Sequence, residues 1–434
     1  IKKQTIRLAY QPKIRECLSC PERYKESVFD AIVSDREVKY GSASGYYTSK
    51  PIDKIPNNNY VQIGKEIWKE LKNTVFGKRT DQSLYMDVYQ PAGDSQRQRP
   101  LFLFIHGGAF FFGDKVTQTQ TFLTDDLVKK GFVVISVNYR LGTTLKGAAA
   151  VENAIYRGVQ DVRAALRYVI NHSDGLGIDP RQIYIGGNSA GGIIALTTAF
   201  MDDHEVYKSV NIKELGGLDG SGNRLSADIH LAGVVSLWGG LSDLNFINNT
   251  VPVLLFHGTN DDIVQSESGL PFKDVIGDFL HNMLASSWRL HGSASIYKYM
   301  NQNDLPVRYV PFNGYGHEPQ TGGDGSFNQN MYKIRDEISR FLYRQWEKQF
   351  PGYTLEGDAD VHPSDATSVY RVAHAASSGS VQWRVQGGII LEQTTDAVKV
   401  VWYDKGGFGQ VTACITDATG VLHKKELRVR IHRY

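Results

Sequence analysis

A serine lies in a local setting that suits hydrolysis by a nucleophilic hydroxyl. Ser189 is part of the turn-like stretch GNSAG, which follows the short apolar run QIYIG and precedes an apolar, helix-compatible run from Gly191 to Phe200. A strand–turn–helix setting of this kind is typical of a nucleophile elbow, where small neighbours keep the serine oxygen clear of a strained turn. We therefore interpret Ser189 as the candidate nucleophile, with Gly187 and Gly191 letting strand and helix approach each other. The G-x-S-x-G pattern alone fits an ordinary glycine-rich turn equally well.

A serine hydroxyl needs a base within hydrogen-bond reach, and the base needs an acid that orients it. The candidate base is His317 in a Gly-Tyr-Gly-His turn after an apolar run, and the candidate acid is Asp261 after the stretch HGTN. The adjacent Asp262 remains an alternative, because a loop shift of one residue would exchange the two carboxylates. His106 and His257 are the rivals for the base. Each directly precedes a glycine at a strand end, where its ring is expected to brace a loop.

Five short motifs occur in a fixed order along the chain, namely HGGAF, NYRLG, GNSAGG, HGTND and GYGH. On these motifs, residues of about 30 to 350 resemble an α/β-hydrolase of the carboxylesterase and hormone-sensitive-lipase type. Enzymes of this type carry their serine, acid and histidine in this order along the chain. The resemblance therefore implies a triad of Ser189, Asp261 and His317.

The resemblance also implies an oxyanion hole, in which backbone N–H groups stabilise the charge that develops on the ester carbonyl oxygen. Its donors would be Gly108, Ala109 and Ala190, whose small side chains let a substrate approach the main chain. Asn188 replaces the acidic residue that such enzymes often carry before the serine, which bears on the subfamily and leaves the triad unaffected. The three phenylalanines at 110–112 either line an acyl or alcohol pocket or, for at least two of them, pack in the core.

The apolar pattern predicts the sheet that must position these residues. From Leu101 onward, continuous apolar runs alternate with amphipathic segments, as expected for parallel strands buried on both faces. The predicted strands are Leu101–Ile105, Phe132–Val137, Gln182–Gly186, Gly233–Leu237, Val253–Phe256 and Val307–Phe312, and the clearest helices are Ile155–Asn171 and Gln329–Gln345. Two earlier β-like runs, Val38–Tyr47 and Leu71–Tyr89, match the antiparallel edge strands of the resembling hydrolases. We therefore predict an α/β fold of the α/β-hydrolase type.

Two segments depart from this alternation. Residues 202–230 are charged and glycine-rich, and we predict an irregular excursion over the sheet. Residues 265–295 carry Phe272, Ile276, Phe279, Leu280 and Leu284, which indicates a helical insertion between acid and histidine. Such an insertion either roofs a substrate cleft or forms a helix pair on the surface.

The tail predicts a second domain. After Phe350 a stretch rich in Pro, Gly and Asp indicates a linker over residues 351–364, and short alternating runs follow, separated by turn signals. This spacing is typical of a β-sandwich. Residues 365–434 resemble an immunoglobulin-like module of the PKD-like kind, a common appendage of exported bacterial enzymes. The predicted organisation is a catalytic domain with an N-terminal arm over residues 1–350, the linker, and the sandwich.

Composition excludes several functions. With 434 residues, 41% apolar residues and a formal net charge of +2, the chain has the balance of an ordinary globular protein, so nucleic acid is not an expected partner. No apolar run of about 18 residues is present, so no transmembrane helix is expected. The chain begins Ile-Lys-Lys without a signal peptide, which we interpret as a mature or trimmed form.

Three cysteines are present, Cys17 and Cys20 in a C-x-x-C pair and the distant Cys414. One such pair supplies too few ligands for a structural zinc site. It predicts a small disulfide or two unpaired thiols, and it favours an export-compatible compartment. Together with the resemblance of the tail to a module of exported bacterial enzymes, this leads us to expect a secreted, periplasmic or cell-surface location in a bacterium.

Together these patterns predict a serine carboxylesterase without cofactor or metal, acting through an acyl-enzyme. The ester remains open between acyl groups on glycans, small acyl esters and lipids. A serine peptidase of the same fold is the enzymic alternative, although this chain lacks the propeller such peptidases usually carry. A non-catalytic adhesion or scaffold protein is the other alternative, although such relatives usually lack a triad residue. The oligomeric state is not predicted.

Overall fold

The computed structural model describes residues 22–45, 80–142, 147–271, 288–348, 352–362, 367–373, 380–403, 406–417 and 422–433. The chain divides into two compact units. The larger unit is Ser27–Gly352, and the smaller unit combines Ile1–Glu26 with Tyr353–Tyr434. Each unit has its own cluster of buried apolar side chains.

The larger unit alternates strands and helices along most of its length. In chain order its elements are β1 (Ile32–Gly45), β2 (Thr80–Pro91), β3 (Arg99–Ile105), α1 (Gln118–Lys129), β4 (Val133–Val137), α2 (Ala148–Asn171), α3 (Ser173–Leu176), β5 (Ile178–Asn188), α4 (Ala190–Phe200), α5 (Ile212–Leu215), β6 (Gly233–Leu237), β7 (Gly240–Leu241), a 3-10 turn (Leu244–Phe246), β8 (Val253–Gly258), β9 (Ser268–Gly269), β10 (Leu290–Gly292), α6 (Ser293–Gln302), β11 (Val307–Phe312) and α7 (Gln329–Lys348).

Eight of these strands form one sheet in the order β1-β2-β4-β3-β5-β6-β8-β11. Strand β2 is antiparallel to both of its neighbours, and the pairs from β4 to β11 are all parallel. Strands β3, β4, β6 and β8 are buried along their whole length, which explains why each reads as a continuous apolar run. This sheet, with its helical crossovers, confirms the predicted α/β-hydrolase fold.

Two long helices confirm the periodic pattern that predicted them. Helix α2 buries a stripe at three- and four-residue steps that includes Val159, Val162 and Leu166. Helix α7 buries Met331, Ile334 and Ile338 in the same way. Both helices are longer than predicted, α2 by a turn or more at its N-terminus and α7 by three residues at its C-terminus.

The segment between the acid and the histidine contributes β9 and β10 to a small three-stranded sheet in the order β7-β10-β9, whose third strand, β7, precedes the acid in the chain. The five apolar residues that predicted a helical insertion lie within 272–287, outside the described residues, so that prediction stays a prediction. Strand β9 precedes residues 272–287 and strand β10 follows them, and the apolar pattern of the sequence predicted neither strand. Residues 202–230 are irregular apart from α5, as predicted.

The smaller unit contains two four-stranded sheets, β12-β14-β17-β16 and β13-β19-β18-β15. Its strands are β12 (Thr354–Glu356), β13 (Asp360–Val361), β14 (Ser368–Ala373), β15 (Ser380–Gln386), β16 (Gly388–Gln393), β17 (Ala397–Trp402), β18 (Gly407–Thr416) and β19 (Leu422–Ile431). Side chains from both sheets, including Tyr370, Val400, Val411 and Val429, share one core, which is the arrangement of a β-sandwich.

The boundaries of this unit differ from the predicted ones in two places. The stretch predicted as a linker contributes β12 and β13, because their backbone groups pair with β14 and β19. Residues 22–26, which belong to the segment predicted as an arm of the catalytic domain, group with the smaller unit instead. Cys414 on β18 is disulfide-bonded, which the sequence did not predict. The other two cysteines, Cys17 and Cys20, lie outside the described residues.

Because each unit has its own core, we predict that a fragment Ser27–Gly352 unfolds in a single cooperative transition when far-UV circular dichroism is followed on heating. A matched fragment that ends at Ile338 is the control. It lacks Phe341, Leu342 and Trp346, which are buried on the last turns of α7, and should not fold cooperatively. Aggregation or a non-cooperative melt of the longer fragment would show that the two units fold as one.

Candidate active site

Ser189 occupies the tight connection between β5 and α4. Its φ is +53°, in a region that residues other than glycine rarely adopt, and such strain is characteristic of functional sites. Its backbone N–H donates to the Leu237 carbonyl at the end of β6, at 2.8 Å. The connection is tight because a Cβ atom on Gly187 or Gly191 would lie 2.4 or 2.1 Å from the carbonyl oxygen of Ile105 on β3. The turn therefore requires glycine at both positions, as the motif predicted.

The structure brings Ser189, His317 and Asp261 into one hydrogen-bonded line. The Nε2 atom of His317 lies 2.8 Å from the Ser189 hydroxyl oxygen, and its Nδ1 atom lies 2.8 Å from Asp261 Oδ2. A carboxylate can only accept hydrogen bonds, so Nδ1 carries the proton of the neutral ring. The lone pair on Nε2 then faces the serine hydroxyl, which is the orientation a general base needs.

Two loops at the ends of adjacent parallel strands hold the acid and the histidine. Asp261 follows β8, and His317 follows β11. The Asn260 N–H donates to the Tyr315 carbonyl at 2.9 Å, and the Gly314 N–H donates to the Thr259 hydroxyl at 2.9 Å. These bonds tie the two loops together, so the strand register determines the distance between acid and base.

The Asp261 carboxylate is buried but richly hydrogen-bonded. Its Oδ1 atom accepts from the backbone N–H groups of Ile263 and Val264, each at 2.9 Å. Burial by itself would raise the pKa of Asp261, but the charge of His317 and the hydrogen bonds from His257 and His317 hold that pKa well below its usual range. The carboxylate is therefore ionised at neutral pH.

Nearby carboxylates also shift the pKa of His317. Burial alone would lower the pKa of His317, but the carboxylates of Asp261, Glu318 and Asp262 outweigh it and raise that pKa above its ordinary value. Asp262 itself is exposed, and within the described residues the hydrogen bond from Nδ1 goes to Asp261. The structure thus brings Asp261, and not its neighbour, into contact with the ring.

The three proposed oxyanion donors lie beside the elbow. Ala190 begins α4, and Gly108 and Ala109 follow β3. Within the described part of the chain, no carbonyl or side chain accepts a hydrogen bond from these N–H groups. Ala109 and Phe110 have φ values of +52° and +68°, and a Cβ on Gly108 would lie 1.9 Å from the Phe112 carbonyl oxygen. The loop is thus a strained turn with free donors.

His106 and Asn188 hold this loop in place. Nδ1 of His106 donates to the Gly107 carbonyl at 2.7 Å, and its ring stacks on Tyr139 with centroids 4.5 Å apart. Burial lowers the pKa of His106 to about 4, so the ring is neutral and braces the loop. The Asn188 side-chain oxygen accepts from the Gly107 N–H at 3.1 Å, which ties the loop to the elbow.

Trp238 at the end of β6 is a residue that the motifs did not reveal. Its buried indole meets the His317 ring edge-on, with centroids 6.5 Å apart, and its φ of +43° is strained. The sequence signal that could have revealed Trp238 is a tryptophan directly after a buried strand.

Of the three phenylalanines, Phe110 and Phe111 are buried and Phe112 is partly exposed. Core packing of two of them agrees with the prediction.

Residues 86–248 match the BD-FAE family. Three similar proteins illustrate the relatives. A carboxylic ester hydrolase of Bombus ignitus is 36% identical over 112 residues, which are 25% of this chain and 19% of that protein. Lipase 1 of Geotrichum candidum is 30% identical, over 31% of this chain and 26% of its own length. Esterase LipI of Mycobacterium tuberculosis is 34% identical, over 26% of this chain and 32% of its own length.

The chain thus spans 19% to 32% of the length of these relatives. Solved structures are similar at lower identity. A truncated carbohydrate esterase from gut microbiota is 19% identical with a TM-score of 0.45, over 74% of this chain and 98% of its own. A propionate-bound esterase of Thermogutta terrifontis is 20% identical with a TM-score of 0.42, over 61% of this chain and 90% of its own.

The described residues contain no group of three or more His, Cys, Asp or Glu side chains that could hold a metal ion. None of the helices in the described ranges is both long and apolar enough to cross a membrane.

The close approach at the elbow generates a stability prediction. Gly191→Ala should lower the free energy of unfolding by about 2 kcal/mol or more, because its Cβ would collide with backbone atoms that cannot move independently. The matched control is Gly175→Ala on α3, where an added Cβ has no neighbour within 4 Å. It should leave stability unchanged or raise it by up to about 1 kcal/mol. Equal effects in chemical denaturation would contradict the packing argument.

Proposed function

We propose that this protein is a carboxylic ester hydrolase in which Ser189 is the nucleophile, His317 the general base and Asp261 the orienting acid. The observation that carries the proposal is the hydrogen-bonded line from the Ser189 hydroxyl through both nitrogens of His317 to the carboxylate. The family match and the ester-hydrolysing relatives support the reaction class. The unshared N–H donors beside the serine support acyl transfer through an oxyanion.

In the first half of the proposed reaction, the Ser189 oxygen attacks the ester carbonyl carbon while His317 Nε2 takes the hydroxyl proton. The carbonyl oxygen becomes an oxyanion, stabilised by the N–H groups of Gly108, Ala109 and Ala190. Collapse of this intermediate breaks the bond to the alcohol oxygen. His317 returns its proton to that oxygen, and the alcohol leaves behind an acyl-enzyme.

In the second half, water attacks the acyl carbon and gives a proton to His317. The bond to the Ser189 oxygen then breaks, and His317 protonates that oxygen as the carboxylic acid departs. Asp261 remains ionised throughout and stabilises the imidazolium each time it forms. Each residue thus returns to its starting protonation state.

The wider setting is also a proposal. We infer that the substrate is a small acyl ester or an acyl group on a glycan, and that the smaller unit is a PKD-like module. A secreted, periplasmic or cell-surface location is supported by the disulfide at Cys414, because disulfides persist in oxidising compartments.

We predict that Ser189→Ala lowers kcat for a p-nitrophenyl acyl ester by about 10⁴-fold or more, because the triad acts as a unit. Asp261→Asn should lower it by at least about 10³-fold, since the amide cannot stabilise the imidazolium. The matched control is Asp262→Asn, whose exposed carboxylate makes no hydrogen bond to the ring within the described residues, and it should stay within about threefold.

An organophosphonate probe provides an independent readout, because it should label Ser189 in the wild type and leave Ser189→Ala unlabelled. Absence of labelling would favour a non-catalytic protein. An anilide with the same acyl group, assayed in parallel, tests the peptidase alternative. Cleavage of the anilide as fast as the ester would contradict the proposed reaction class.

The raised pKa of His317 generates a pH prediction. A base must be neutral to accept a proton, so kcat/KM should be low at acid pH and should rise as His317 loses its proton. The midpoint should lie above the ordinary histidine value of about 6.5. Glu318→Gln removes one of the carboxylates that raise this pKa and should move the midpoint to lower pH. A midpoint below the ordinary value would contradict the assignment of the base.

A further inference from the structure

His257, at the end of β8, contacts the same carboxylate oxygen as the proposed base. Its side chain is completely buried. Its Nε2 atom lies 2.7 Å from the Val264 carbonyl oxygen and 3.1 Å from Asp261 Oδ2. On the other side of the ring, Nδ1 lies 2.8 Å from the Ser293 hydroxyl at the start of α6. A second imidazole thus joins the acid to an element outside the hydrogen-bonded line.

The partners determine which nitrogen carries the proton. A carbonyl oxygen accepts only, so Nε2 must bear a hydrogen, which it shares between Val264 and Asp261. The backbone N–H of Ser293 points at Nδ1 from 3.4 Å, and an N–H donates only, so Nδ1 presents its lone pair. The ring therefore carries its proton on Nε2 and presents a lone pair on Nδ1. The Ser293 hydroxyl, 2.8 Å from Nδ1 and 3.4 Å from the Phe256 carbonyl oxygen, has both acceptors within reach.

We propose that His257 is a positioning residue for the reaction, which holds Asp261 and tunes its interaction with His317 by donating a hydrogen bond to the shared oxygen Oδ2. The inference rests on the proposed function, because it assigns a role to His257 in that same site. The ring also closes a small cycle, since Val264 donates its N–H to Asp261 Oδ1 and accepts from His257 at its carbonyl. The acid loop is thereby clamped to β8.

The clamp has an electrostatic consequence. Oδ2 accepts from two N–H donors, His317 Nδ1 and His257 Nε2, and each donor neutralises part of its negative charge. Without the His257 donor, Oδ2 would interact more strongly with the imidazolium form of His317 and favour its charged state. The proton affinity of the base should therefore rise when this one N–H is lost.

Two other carboxylates act on the His317 ring, and a substitution at His257 leaves both of them in place. Glu318 is next to His317 in the chain, Asp262 is next to the acid, and both favour the protonated ring together with Asp261. Within the described ranges, the ring also contacts Ser189 and the edge of Trp238, and neither of these side chains carries a charge. A change confined to His257 therefore isolates its own hydrogen bond.

Glutamine and asparagine provide a matched pair of substitutions in the full-length protein. His257→Gln places an amide N–H near the position of Nε2, whereas His257→Asn reaches only the position of Nδ1. We expect His257→Asn to lower kcat/KM by at least about tenfold and to move the acid limb of its pH profile up by about half to one pH unit. His257→Gln should recover most of the activity and keep the limb within about 0.2 pH unit.

A packing role is tested with Met300→Ala, which removes a completely buried side chain from α6 without touching the acid. It should destabilise the protein by about 2 to 5 kcal/mol and leave the acid limb unmoved. If His257→Asn and His257→Gln behave alike, or if the limb of His257→Asn stays in place or moves down, the positioning role is wrong.

The pKa of His317 is also measurable without turnover, by NMR titration of ¹³C-labelled histidines, with the His317 signal assigned by its absence in His317→Ala. A higher pKa in His257→Asn alone supports the inference, even if the wild type proves inactive on esters and the proposed function fails. An unchanged pKa in both variants overturns the inference, even if Ser189→Ala abolishes hydrolysis and the proposed function stands.

Discussion

The architecture of the site depends on a single buried charge. A carboxylate removed from water costs several kcal/mol unless donors surround it, and the Asp261 carboxylate has four, two backbone N–H groups and two histidine rings. The backbone donors fold the loop after β8 onto the carboxylate. The two rings extend from it in different directions, His317 toward Ser189 and His257 toward α6. Satisfying one charge therefore orients the loop, the base and the neighbouring helix together.

The parallel sheet makes this arrangement possible over a long stretch of chain. Ser189 is 128 residues from His317 along the sequence, and Asp261 is 56 residues from it. Strands β5, β8 and β11 run in the same direction, so the loops after them emerge at the same edge of the sheet. Strained backbone is found at this edge as well, at Ser189 and at Trp238. The rigid sheet can support strain there because its core strands are buried throughout.

Much of the fold was predictable because its physical causes are local. Buried parallel strands read as continuous apolar runs, so β6 was predicted with the bounds that the structure has. The edge strand β11 also has its predicted bounds, although only its residues Val310 and Phe312 are buried. The glycines of the elbow were predictable for the same reason, since the collision of a Cβ follows from the turn itself. The short strand β12 was not, because its stability comes from pairing with β14 rather than from its own residues.

The site likewise contains residues that the sequence could predict and residues that it could not. The motifs predicted Ser189 and His317 as neighbours in the site, but the choice between Asp261 and Asp262 depends on a hydrogen bond across loops that are distant in sequence. The same is true of His257, which the sequence suggested only as a loop brace. Its contact with the acid arises from a turn four residues long, whose closure depends on backbone groups that carry no sequence signal.

The composition of the smaller unit has a consequence for how the protein is made. Its described parts lie before and after the larger unit in the sequence, as residues 22–26 and the strands from β12 onward, so the larger unit is an insertion in the sense of domain architecture. During synthesis, strands β12 to β19 are translated after the whole of the larger unit. The larger unit can therefore complete its core before the strands of the smaller unit have been synthesised. The order of translation separates the two folding events in time.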